Sequence, residues 1–205
     1  MGETWIKFCG CASWREVELA IDAGADAFGM IFAPSPRRIT FESAAEIAER
    51  VGSSIEPVAV FVNPTRREVH AVRELFPRAR LQFSGDETPE FVADYAECAI
   101  KAIHVDDRGA GLAEAAGEFP YALLLLDSRR AGLAGGTGTS FPWELAMPIA
   151  VRRRIVVAGG LTAENVAQCI ATVRPFGVDV RNGIETDGRK DIAKMQAFVR
   201  AVREQ

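Results

Sequence analysis

The sequence predicts an α/β protein, a single-domain (β/α)8 TIM barrel spanning residues 1–205. Three observations carry that expectation. Strand-like runs fall near 5–10, 27–32, 56–62, 80–84, 100–105, 121–127, 155–160 and 177–183, mostly 20–30 residues apart, the length of one βα unit. Runs such as Val58-Ala59-Val60-Phe61-Val62 and Leu123-Leu124-Leu125-Leu126 are apolar on both faces, as strands covered on both sides of a parallel sheet are. No dinucleotide fingerprint follows the first strand, which favours a closed barrel over the alternative, a doubly wound open sheet. A length of 205 residues is near the compact limit for a barrel.

The segments between strands read as helices. Ser13-x-x-Glu16, Ser43-x-x-Glu46 and Thr65-x-x-Glu68 each match the capping box, in which a hydroxyl and a carboxylate satisfy orphan amides at a helix start. Thr88-Pro89-Glu90 places a capping residue before a proline at the first helical position. Trp14, Val17 and Ile21 share one face of the first helix, and Gly24 ends it. Ile192, Met195, Phe198, Val199 and Val202 repeat the pattern in the last helix. The longest irregular stretch, 128–142, holds Gly132, Gly135, Gly136 and Gly138 and reads either as a mobile lid or as a plain surface loop.

Composition narrows the function classes. The formal net charge of −4 gives no reason to expect a nucleic acid or an anionic membrane as partner. The longest apolar run, 121–126, is too short to span a bilayer, and no signal peptide is visible. Cys9, Cys11, Cys98 and Cys169 fit neither a disulfide framework nor a zinc pattern. A reduced, cytoplasmic protein is the expected setting, with its state, monomer or homodimer, left open.

In a barrel the chemistry gathers at the C-terminal ends of the strands. The first strand ends at Cys9. The sixth ends at Asp127, which four leucines force to the tip of an apolar strand. Partial desolvation there would raise its pKa and suit a proton donor; the other reading is a helix cap or an ion pair with Arg129 or Arg130. Gly159-Gly160-Leu161-Thr162 opens the seventh helix, with Thr162 as capping candidate, and Asn182-Gly183 follows the eighth strand. These loops are where barrels often bind phosphate, since glycine lets backbone amides approach an oxyanion; the alternative is ordinary turns. Arg37 is either a bidentate carboxylate partner or surface charge. Lys7 and Asp179 have the strand parity to face inward beside Cys9 and Arg181, so a buried Lys7–Asp179 pair is expected. Lys101 is the one lysine candidate on a strand, and His70 and His104 read as structural.

Taken in order, several motifs resemble the phosphoribosylanthranilate isomerase family. They are Lys7-Phe8-Cys9-Gly10, Gly24-Ala25-Asp26-Ala27-Phe28-Gly29-Met30-Ile31-Phe32, Ser35-Pro36-Arg37, Val60-Phe61-Val62-Asn63, Leu126-Asp127-Ser128, Gly135-Gly136-Thr137-Gly138, Ala158-Gly159-Gly160-Leu161, Glu164-Asn165-Val166, Val178-Asp179-Val180 and Asn182-Gly183-Ile184-Glu185. The resemblance runs essentially end to end. It implies a compact barrel without cofactor or metal that carries out an aldose–ketose isomerisation in tryptophan biosynthesis. Its substrate is a phosphorylated small molecule, N-(5-phosphoribosyl)anthranilate. By resemblance Cys9 is the general base and Asp127 the general acid. Arg37 contacts the anthranilate carboxylate, and Gly159, Gly160, Asn182 and Gly183 bind phosphate. Gly135, Gly136 and Asp179 join the substrate-binding set on the same ground. The competing readings are a different phosphate-binding barrel, such as a sugar-phosphate epimerase or a tryptophan-pathway lyase, and a non-catalytic binder.

Four stretches depart from the family pattern. Cys11-Ala12 replaces Ile-Thr, and Cys11 either forms an oxidised partner for Cys9 or is silent. Ser84 stands for a histidine and Pro142 for an aspartate. Arg181-Asn182-Gly183 replaces Ser-Ser-Gly; Arg181 either strengthens phosphate binding or stands in for a hydrogen-bonding serine.

Overall fold

A computed structural model describes residues 3–128 and 140–205. Eight strands close into a parallel barrel in chain order: β1 (Trp5–Cys9), β2 (Ala27–Ile31), β3 (Glu56–Phe61), β4 (Arg80–Phe83), β5 (Ala99–Val105), β6 (Leu123–Ser128), β7 (Ile155–Val157) and β8 (Gly177–Val180). The seam is set by Lys7 pairing with Ala27 on one side and with Asp179 on the other. Helices α1 (Trp14–Ala23), α2 (Phe41–Arg50), α3 (Arg66–Leu75), α4 (Pro89–Ala93), α5 (Leu112–Glu118), α6 (Met147–Ala150), α7 (Val166–Val173) and α8 (Ile192–Arg203) alternate with the strands. A small antiparallel pair, β9 (Glu185–Thr186) and β10 (Arg189–Lys190), follows β8.

Strand alternation sorts the apolar residues into two layers. Ala27, Ile31, Val58, Val60, Ile100, Ala102, Leu125, Val156 and Cys9 fill the barrel interior. Phe8, Phe28, Met30, Leu81, Phe83, Leu124, Leu126 and Val178 point outward under the helices, where Val17, Ile47, Val72, Met195 and Phe198 meet them. Both faces of each strand are therefore dry, which is why the sequence shows continuous apolar runs. The ends of the chain are tied together: Arg203 on α8 donates to the Thr4 carbonyl at 2.7 Å and to Asp26, whose carboxylate accepts from the Ile6 amide.

Most helix starts form as the sequence implies, with three corrections. The Thr65–Glu68 box is complete and Thr88 caps α4. In α1, Ser13 accepts from the Glu16 amide, but the Glu16 carboxylate turns to the Ala12 amide instead of closing the box. In α2 the cap is Thr40, not Ser43: the helix starts a turn earlier, and the Thr40 side chain accepts from the Ser43 amide. In α7 the cap position is Asn165, not Thr162; the Asn165 side chain accepts from the Thr162 amide and donates to the Gly160 carbonyl, bracing the loop ahead of the helix. Gly24 closes α1, its N–H bonding the carbonyls of Ala20 and Ile21.

Candidate active site

A cavity of about 660 Å³ opens at the C-terminal ends of the strands. Cys9, Arg37, Asp127, Gly159, Gly160, Asp179, Asn182 and Gly183 all line it, so eight of the ten site residues expected from the sequence meet there. Gly135 and Gly136 lie outside the described residues, as do Arg129 and Arg130.

Cys9 sits at the tip of β1 on the inner face, above Lys7. Lys7 is fully buried and donates to Asp179 at 2.8 Å, the pair expected from strand parity. A carbon built on Gly29 would lie 3.1 Å from Lys7 Nζ and 3.2 Å from Cys9 Sγ, so a side chain at this position of β2 would press on the lysine and the thiol together. Burial pushes the Cys9 thiol up; the positive charges of Lys7, Lys190 and Arg181 pull it back, while Asp179 opposes them. Burial wins. Lys7 favours the thiolate but does not carry the balance. Lys190, from β10, reaches the Cys9 carbonyl at 2.5 Å and Glu185 at 2.9 Å.

Asp127 stands across the cavity at the end of β6. Desolvation raises its pKa, and the nearby Asp179 charge adds to that; His104, Arg181 and the Ser128 amide pull the other way. The net shift is upward, which keeps a proton available on the carboxyl. His104 is its cross-strand partner on β5 and lines the same cavity, where its ring meets the Ser84 carbonyl at 3.3 Å. The structural reading of His104 therefore misses its place in the site. Its parity with Asp127 was the available signal. Gly159, at φ +86°, passes so close to β6 that an added Cβ would meet Ser128 and come within 2.7 Å of Asp127 Oδ1.

The loops after β7 and β8 come together, a Cβ built on Gly183 lying in the Leu161 carbonyl. The amides of Gly160 and Leu161 have no protein acceptor among the described residues and lie beside the short helical turn Asn182–Ile184. Amides so placed suit a bound oxyanion.

Arg37 is not plain surface charge. Its guanidinium grips Glu185 through Nε, at 2.9 Å, and through Nη2. Burial alone would raise the Glu185 carboxyl, but Arg37 and Lys190 outweigh it and hold the group ionised below its ordinary value. Glu185 and Lys190 were given no role from sequence. Gln82 was likewise overlooked: it lines the cavity, donates to Ser84 Oγ at 3.1 Å, and leaves its buried Oε1 without a partner among the described residues.

Lys101 is withdrawn from the chemistry. It is buried, bound to Glu87 at 2.8 Å and to the Gly85 carbonyl at 2.6 Å, and does not line the cavity. Cys11 packs in the outer apolar layer, and burial pushes its thiol up to about 12.

A carboxyl and a thiol lining one cavity at the C-terminal ends of the strands are the arrangement of a (β/α)8-barrel enzyme. The family model for N-(5'phosphoribosyl)anthranilate (PRA) isomerase matches residues 6–201. This chain belongs to that family. It is 40% identical over 201 residues to the N-(5'-phosphoribosyl)anthranilate isomerase of Desulforudis audaxviator, covering 98% of each chain. The crystal structure of phosphoribosyl anthranilate isomerase from Thermotoga maritima superposes with a TM-score of 0.88 at 32% identity, covering 98% of this chain and 100% of that one. A structure of phosphoribosyl anthranilate isomerase in complex with reduced 1-(o-carboxyphenylamino)-1-deoxyribulose 5-phosphate matches at 0.85 and 31%, with 98% and 100% coverage.

Proposed function

We propose that this protein isomerises N-(5-phosphoribosyl)anthranilate to 1-(2-carboxyphenylamino)-1-deoxy-D-ribulose 5-phosphate, with Asp127 as general acid and Cys9 as general base. One observation carries the assignment of roles. Asp127, its pKa raised by burial, and Cys9, surrounded by Lys7, Lys190 and Arg181, line one cavity.

Asp127 gives its proton to the furanose ring oxygen. The anomeric C–O bond breaks and the anthranilate nitrogen lone pair forms the Schiff base. Cys9, as thiolate, takes the C2 proton, and the electrons of that bond move to neutralise the iminium. The enolamine then gains a proton at C1 and loses one from the C2 hydroxyl, leaving the ketone. The enzyme starts with a thiolate and a carboxylic acid and passes to a thiol and a carboxylate, so its charge is conserved and no co-reactant is consumed. Lys7 matters because its charge favours the thiolate of this starting form.

The ribose phosphate docks on the amides of the Gly159–Gly160 and Asn182–Gly183 loops. Gly135 and Gly136 are proposed to bind the substrate as well. Asp179 acts through Lys7, to which its carboxylate is bound. The chain works as one catalytic barrel, monomer or homodimer, in the cytoplasm, a setting supported by four free thiols. Among the described residues no helix is long and apolar enough to cross a membrane.

The deciding experiment generates phosphoribosylanthranilate in situ and follows the loss of its fluorescence. Acceleration by the purified protein is expected. No acceleration would leave a binding protein.

A further inference from the structure

Lys190 is a second buried lysine beside Cys9, and no step of the reaction above uses it. It arrives on β10, the short strand that pairs with β9 through Lys190 and Glu185. Its side chain is almost wholly buried, and Nζ donates to the Cys9 carbonyl at 2.5 Å and to Glu185 at 2.9 Å. A lysine is rarely buried without a partner, because its ammonium loses hydration there. Here the partner is shared: Arg37 takes the same Glu185 carboxylate through Nε at 2.9 Å and through Nη2.

The charges around the thiol separate the two lysines. Lys7 is matched by Asp179. Arg37 and Lys190 bring two positive charges against the single carboxylate of Glu185, so their cluster keeps a positive surplus. Lys194 adds to the same sign, donating to the Glu185 carbonyl from an exposed position where water and salt screen it. Asp191, next in the chain, is engaged elsewhere: it accepts from Thr186 and from the first amides of α8. Arg181, half-buried after β8, also favours the thiolate, and Asp127 faces the cavity from β6. Lys190 lies out of water, so its charge is weakly screened.

We infer that Lys190 is a positioning residue for the base: it holds the main chain of Cys9 at the end of β1 and places the surplus charge of its cluster where the thiolate forms. This rests on the isomerase reading, in which Cys9 must be ionised to take the C2 proton. The β9–β10 hairpin then has a task, carrying the lysine back over the barrel to β1 with Glu185 beside it. A purely structural tie would hold the hairpin without touching the titration of the thiol.

The test reads the thiol directly. Iodoacetamide alkylation of Cys9, followed by mass on the peptide that carries it, gives an apparent pKa without substrate for the wild type, Lys190→Gln, Lys190→Arg and Glu185→Gln. Lys190→Gln keeps a donor for the Cys9 carbonyl and leaves Glu185 to Arg37, and should raise the apparent pKa by about one pH unit. Lys190→Arg keeps the charge and should stay within about half a pH unit of wild type. Glu185→Gln removes the offsetting carboxylate and should move the value down. The active form pairs a protonated Asp127 with an ionised Cys9. In Lys190→Gln the plateau of kcat/KM should therefore fall by about 3- to 10-fold, with the alkaline limb moved up and the curve rejoining wild type above it. An unchanged apparent pKa in Lys190→Gln, an equal rise in Lys190→Arg, or a kcat/KM lowered by one factor at every pH would make Lys190 a structural tie and overturn the inference. So would an upward move in Glu185→Gln, the variant that decides if Lys190→Gln does not fold. Absence of isomerase turnover in the wild type would sink the isomerase reading instead, and the alkylation series would still decide whether Lys190 acts on the thiol.

Discussion

Lys7 Nζ lies 2.8 Å from Asp179 Oδ1 across the β1–β8 seam, with both side chains buried. A buried pair is often no more stable than an apolar one, but removing a single partner strands the other charge. Lys7→Met should therefore cost about 3–5 kcal/mol in urea unfolding, and Lys7→Met/Asp179→Leu should regain much of it. A single variant as stable as wild type would show that the pair carries no such burden.

Cys9→Ala and Asp127→Asn should each lower kcat by about 10²–10⁴-fold while the far-UV circular dichroism is unchanged. The two differ in stability. Asp127 has a folded pKa above the ordinary carboxylate value of about 3.9. Its contribution to stability is thus complete below that value and lost as pH rises through the folded pKa, which leaves the ionised form a liability at neutrality. Asp127→Asn should raise Tm at pH 7, and the gain should fade below about pH 4. A lower Tm at neutral pH would contradict this account of the carboxyl.

The pH profile of kcat/KM follows from the two shifts. Turnover needs Asp127 protonated and Cys9 deprotonated, and both groups are shifted upward. With the two groups in their ordinary order, carboxyl below thiol, the acid limb of the bell belongs to Asp127 and the alkaline limb to Cys9. Thiol alkylation by iodoacetamide, followed against pH, should show an apparent pKa that matches the alkaline limb. Alkylation that saturates well below neutrality would contradict the assignment.

Gly159→Ala should damage catalysis more than folding. The added carbon would press on Ser128 and on Asp127 Oδ1, and the φ of +86° is unfavourable to any side chain. A displaced acid on this scale costs roughly 10²-fold in kcat. Turnover within about twofold of wild type would show that Asp127 is not the group that must be aimed.

The fold was legible because its signals are local and repeat eight times: apolar runs, caps and even spacing. The placing of Cys9 and Asp127 in one cavity was legible because each sits at the end of a strand. Cap errors at Ser43 and Thr162 arose where two hydroxyl or amide residues stood three apart and either could serve. What stayed hidden was partnership across long sequence separations. Arg37 and Glu185 are 148 residues apart, and Lys190 meets the Cys9 carbonyl across 181. No periodicity marks such contacts, because they depend on how the barrel closes. His104 was missed for a different reason. A polar residue on a buried strand reads as a structural exception until its neighbour, Asp127, is known to face the same cavity.

The placement of Cys11 bears on how the enzyme meets oxidants. Cys9 lines the interior of the barrel, while Cys11, two residues on, is packed outside it beneath α1 with its sulfur near the carbonyls of Phe8 and Glu16. Joining the two sulfurs would require the outer layer to open first. Cys9 is thereby insulated from the sulfur beside it in sequence, and an oxidant reaches it through the cavity that it lines.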